Sequence, residues 1–140
     1  MMKHVSLFIT LIFLFPCSIV VAQTDAERVE AFIFESKRLP VAERIQRASE
    51  TIQVSEDQAV VGEAARDLAR FSKTPERAQG ALAEIDALIQ KSAPGSYAFR
   101  WGNLAKARLL ARMDRKDEAL AIFRTAIAEC WDKNVYREFF

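Results

Sequence analysis

The sequence predicts an all-α fold, antiparallel helical hairpins stacked as a short solenoid or bundle. Three observations carry this. Glycine and proline number four each in 140 residues, so few positions break a helix. Good helix formers, chiefly Ala, Leu, Glu, Gln and Arg, dominate the chain after residue 22. There, apolar residues recur three or four places apart behind residues that cap helix starts.

The first element is a leader. Lys3 and His4 form a basic start, Val5 to Phe15 is an apolar run broken only by Ser6 and Thr10, and Pro16 ends it. Val20-Val21-Ala22 supplies small residues for cleavage after Ala22, with Gln23 as the second choice. Residues 1–22 are therefore read as a signal peptide, and residues 23–140 as one exported helical domain of the cell envelope or periplasm. Two alternatives are lipidation at Cys17 and an uncleaved anchor. Phe15-Pro16 disfavours the first, and the shortness of the apolar stretch disfavours the second. Membrane contact would come only through the leader, if it is retained.

Six helical segments follow. Thr24 with Glu27 is a capping box for the first, whose inward face is Ala26, Val29, Phe32 and Ile33. Pro40 ends that segment and opens the second, with Val41, Ile45, Ala48 and Ile52 on one face. Ser55 with Gln58 reads as a second capping box. The third helix presents Val61, Ala64, Ala65, Leu68 and Phe71. Thr74 caps a fourth beginning at Pro75, with Ala78, Leu82, Ile85 and Ile89 inward. Ala93-Pro94-Gly95 breaks the chain before Ser96 opens the fifth, which carries Tyr97, Trp101, Leu104, Ala107, Leu110 and Ala111. A polar turn at Asp114 to Lys116 leads to the sixth, with Ala119, Ile122, Phe123, Ala126, Ile127 and Cys130. A short apolar stretch, Val135 to Phe140, closes the chain. The connections are short, which makes consecutive helices antiparallel neighbours and pairs them first with second, third with fourth, fifth with sixth.

Residues 100–133 resemble a tetratricopeptide repeat, a helix–turn–helix unit with set small and large positions. Ala107 and Leu110 occupy the small and large places of the first helix. Ala119 opens the second in an Asp117-Glu118-Ala119 setting, and Phe123 and Ala126 follow at the family's offsets. Small residues let the helices approach while Leu110 and Phe123 fill the groove between hairpins. Phe123 is expected to be a core residue whose truncation costs about 3–5 kcal/mol. The unit departs from the family at Asn103, Lys106, Asp114 (for the turn glycine) and Trp131. Upstream, Ala65, Leu68, Ala78, Leu82 and Ile85 keep a similar rhythm with one extra turn residue.

Chemistry has few candidates. With the leader removed no histidine remains, so the commonest acid–base group and metal ligand are both missing. Cys130 is then the only thiol; it lies on an apolar face and reads as a structural residue. No glycine-rich phosphate loop, CxxC pair or zinc spacing occurs. Glu35-Ser36 resembles the Glu-Ser pair of some helical cell-wall enzymes, without the stretch that follows it there. Hence no catalytic residue, metal or cofactor is assigned, and an enzyme of the cell wall remains only a remote alternative.

Charge is the feature that suggests a partner. Residues 23–92 carry a net −3 and residues 93–140 a net +3. The fifth helix holds Arg100, Lys106, Arg108 and Arg112 with no acid between Tyr97 and Met113. The repeat resemblance implies a concave groove lined by Trp101, Leu104, Arg108, Ala111 and Arg112. Arg108 and Arg112 share a helix face, and their guanidinium forks suit the carboxylates of an acidic or C-terminal peptide. On that reading, replacing both arginines leaves the helical melt nearly unchanged. Nucleic acid does not suit a neutral, exported chain. The expected function is a non-enzymatic protein- or peptide-binding module; the alternative is an assembly subunit that acts by oligomerising.

Overall fold

The computed structural model describes residues 23–130, so the leader and residues 131–140 lie outside it, as do the side chains of Ile127, Glu129 and Cys130. The described chain is all-α, with no strand. Its helices are α1 (Asp25–Lys37), α2 (Val41–Val54), α3 (Gln58–Phe71), α4 (Pro75–Lys91), α5 (Tyr97–Arg112) and α6 (Lys116–Cys130).

Capping chemistry sets most of these boundaries. The Thr24 hydroxyl accepts from the Glu27 amide at 3.3 Å, and the Glu27 carboxylate accepts from the Thr24 amide at 2.7 Å, completing the box at α1. Thr74 and Ser96 accept from the amides of Arg77 and Phe99 at 3.3 and 3.2 Å. At α3 the cap is Asp57, not Ser55: its carboxylate takes the amides of Ala59 and Val60, while the Ser55 hydroxyl accepts from the Asp57 amide. An ionised carboxylate at a helix N-terminus gains from the helix dipole as a hydroxyl cannot. Pro40 stands one place before α2 as its cap, without a side-chain bond. Gly95 adopts φ +78° at the break before α5, and Asp114 adopts φ +61° after α5. Aspartate tolerates this left-handed region better than most residues.

Arg28 of α1 donates Nε–H to Asp57, tying α1 to the start of α3. Burial raises the Asp57 pKa, but the Arg28 bond and the two amides outweigh it and hold the pKa below its ordinary 3.8. A depressed folded pKa adds stability above the unfolded value, and that stability is lost as pH falls through the folded value. Asp57→Asn should therefore be destabilised by about 0.5–1 kcal/mol at neutral pH, the scale of a half-exposed pair. The gap from wild type should close on acidification, which urea melts across the acid range will show.

The core runs through the middle of the molecule. Ala48 and Ile52 from α2, Val61, Ala64, Ala65 and Leu68 from α3, Leu82, Ile85 and Leu88 from α4, and Leu109 and Leu110 from α5 are all buried. Every substantial interface joins helices one or two places apart in the chain, the nearest-neighbour pattern of stacked hairpins. Of the three expected pairs only fifth with sixth is a major interface. Contact within α1–α2 and within α3–α4 is slight, whereas α2–α3, α3–α5, α4–α5 and α5–α6 are extensive. The closeness of α3 and α5 has a local cause. A Cβ on Gly62 would stand 2.6 Å from Tyr97 Cδ1 and 3.1 Å from Trp101 Cδ1, so only glycine allows the aromatic pair of α5 to lie on α3. Gly102 plays the same part against Ile89 of α4, at 3.0 Å.

Several face assignments shift. Val41 is 50% exposed rather than inward, Ala26 is exposed, and α1 buries Ser36 along with Phe32. Phe123 is only half-buried and packs on the rim of the core. The penalty expected for a fully buried aromatic does not apply there, because the cost of truncation scales with the apolar area already removed from water.

Candidate functional site

Trp101, Leu104, Arg108, Ala111 and Arg112 all lie on α5, but in different roles. Trp101 is 8% exposed. Its ring sits 5.9 Å from that of Tyr97, and the Arg66 guanidinium covers it at 4.2 Å. It packs in the α3–α5 interface instead of forming an open apolar floor. Leu104 is half-buried, while Ala111 and Arg108 are exposed.

Arg112 reaches across to the end of α3. Its guanidinium donates to the carbonyls of Ala69, Ser72 and Arg70, the last two at 3.1 and 3.2 Å. The last carbonyls of a helix have no partner within it, and a cation there also meets the negative end of the dipole. Arg112 is thus an intramolecular cap on α3. Both of its terminal nitrogens are therefore engaged within the chain, which sets Arg112 apart from Arg108. Burial, followed by the nearby charge of Arg108, lowers the Arg112 pKa. Arg108 makes no hydrogen bond or ion pair to another described residue. Lys106 turns away to Asp86 of α4, at 2.7 Å.

The structure adds two arginines from α3 to this face. Arg66 and Arg70 repeat on α3 the four-residue spacing of Arg108 and Arg112, and Arg70 lies 42 residues before Arg112. That doubled spacing was a visible sequence signal, but only the packing of α3 on α5 gives it meaning. Arg66 pairs with the buried Glu63 at 2.6 Å and stacks on Trp101. Arg70 is exposed, with its guanidinium 5.7 Å from the Phe71 ring. The α3–α5 face therefore carries four arginines, of which Arg70 and Arg108 keep their donors toward solvent.

Behind this face lies a buried polar group. Arg44 of α2 stands 3.8 Å from Asp67 of α3 and 4.1 Å over the Phe71 ring. Burial raises the Asp67 pKa, against the pull of Arg44, Arg70 and Arg66. The Arg44 Nε and the Ser36 hydroxyl are buried without a hydrogen-bond partner among the described residues.

Among the described residues no three His, Cys, Asp or Glu side chains gather as metal ligands, and no helix is long and apolar enough to cross a membrane. Comparison with protein-family profiles, with curated proteins and with solved structures finds no match to this chain.

Proposed function

We propose that this chain is a non-enzymatic interaction module of the bacterial envelope, exported by its leader and built as a degenerate tetratricopeptide-like stack. It binds an acidic protein or peptide segment on the α3–α5 face. The carrying observation is the pair of exposed guanidinium groups, Arg70 and Arg108, without a side-chain hydrogen bond or ion pair among the described residues, on two helices held together by Gly62 and by the Arg112 cap. The half-buried Leu104 offers apolar contact beside them. Guanidinium forks bind carboxylates in a bidentate way and remain charged at any working pH. The nearest-neighbour interfaces and the left-handed Asp114 turn support the repeat-like reading.

Partner capture tests this. The protein, immobilised and exposed to envelope extract, should retain a defined set of proteins, and retention should weaken as salt rises. Arg70→Ala with Arg108→Ala should lose that set while keeping the wild-type melt. Retention of the same set by the double variant would make the two arginines ordinary surface charge.

A further inference from the structure

A cleft of about 240 Å³ opens between α2 and α4, with Ile45, Leu68 and Ser72 among its lining. Gly80 and Ala81 form its α4 wall, and Arg77 and Glu84 stand at either end of that wall. Gly80 is unlike the two packing glycines: a Cβ there would meet nothing within 4 Å. A glycine in mid-helix weakens the helix, and no internal contact accounts for this one. Its effect is to keep the cleft open.

The cleft has a counterpart on the same chain. Arg77, Gly80 and Glu84 are spaced by three and four residues, so they share one face of α4. On α6, Asp117, Leu120 and Arg124 have the same spacing with the charges reversed, and with a leucine where α4 has glycine. Leu120 is 48% exposed, and Asp117 and Arg124 are exposed without an ion pair among the described residues. Arg77 likewise has no side-chain partner among them, and Glu84 receives only the Ser49 hydroxyl.

We infer that α6 of one copy docks along α4 of the next, with Leu120 in the cleft over Gly80. Asp117 then meets Arg77, and Arg124 meets Glu84. The two helices run in the same direction, because each charged pair follows the other in the same order along both chains. Both pairs are about 10 Å apart along their helices, at 1.5 Å per residue. A cavity of roughly 150 Å³ holds a benzene-sized group, so the cleft has room for a leucine side chain. The contact uses two different surfaces, so it is head-to-tail: a chain of copies keeps one knob free at one end and one cleft free at the other, where further copies add.

This assembly is independent of the arginine face and is read from the protein alone. Sedimentation of the purified protein should show a mean mass that rises with concentration and falls with added salt. Gly80→Leu, which fills the cleft, and Leu120→Asp, which removes the knob, should each give monomers with wild-type helical circular dichroism. Mixed in equal amounts, they should form one-to-one dimers and nothing longer, since one keeps its knob and the other its cleft. Arg77→Asp alone should weaken association, and Arg77→Asp with Asp117→Arg should restore it. Wild-type protein that stays monomeric at every concentration, or a mixture that stays monomeric, would overturn the proposal.

Discussion

Leu110→Ala is expected to lower the unfolding free energy by about 2–5 kcal/mol, the range for a leucine cut back in a closed core. Leu110 is 1% exposed near the end of α5, the helix that touches α3, α4 and α6. Ala107 and Ala119 of the same core are small, so they have no side-chain length with which to fill the space it leaves. Domains of this size lose 5–15 kcal/mol on unfolding, so the change is a large part of the whole. Urea titration followed by circular dichroism will show it as a lower midpoint at unchanged slope. A loss under about 1 kcal/mol, the level of a surface change, would mean that α5 does not sit at the centre of the stack.

Arg112→Ala is expected to cost about 1.5–3 kcal/mol, the scale of hydrogen bonds from a charged group. Its guanidinium serves three carbonyls at the end of α3, and a methyl group leaves them unpaired beside a buried Ser72. Arg112→Lys should recover only part of the loss, because a single ammonium cannot spread its donors over three acceptors as the planar fork does. Hydrogen exchange should speed up at the last turn of α3 before the rest of the protein. A melt unchanged from wild type would show that the cap carries no stability, and would return Arg112 to the binding face.

Much of the fold was legible because it depends on local rules. Thr24, Thr74 and Ser96 cap where the pattern places them, and the six helices begin within about two residues of their sequence signals. Asp57 displaced Ser55 as the cap of α3 because an Arg28 side chain from another helix supports its charge. No local rule contains that contact. The amphipathic faces were read less well at the ends of the stack. Val41 and Ala26 sit at the right spacing, but too few neighbouring helices pass there to cover them.

The candidate site was only half legible for the same reason. Charge on α5 is a property of the sequence, while its division between capping and recognition depends on which helix lies beside it. Arg112 meets the open end of α3, and Arg108, four residues earlier, does not. Trp101 was placed in the groove by the repeat resemblance, which assigns that helix position to the concave side. Gly62, on a different helix, admits it to the interface instead. The doubling of the arginine pair on α3 is equally plain in the sequence. It acquires meaning only when α3 and α5 are known to be neighbours.

The binding face is tested most directly by titrating isotopically labelled protein with an oligoglutamate peptide and following every backbone amide. The expected result is a saturable set of shifts confined to α3 and α5 around Arg66, Arg70, Leu104 and Arg108. That set should disappear at high salt and be missing from the Arg70→Ala, Arg108→Ala variant. Shifts spread evenly over the lysines and arginines of all six helices, or centred on a surface away from α3 and α5, would contradict it.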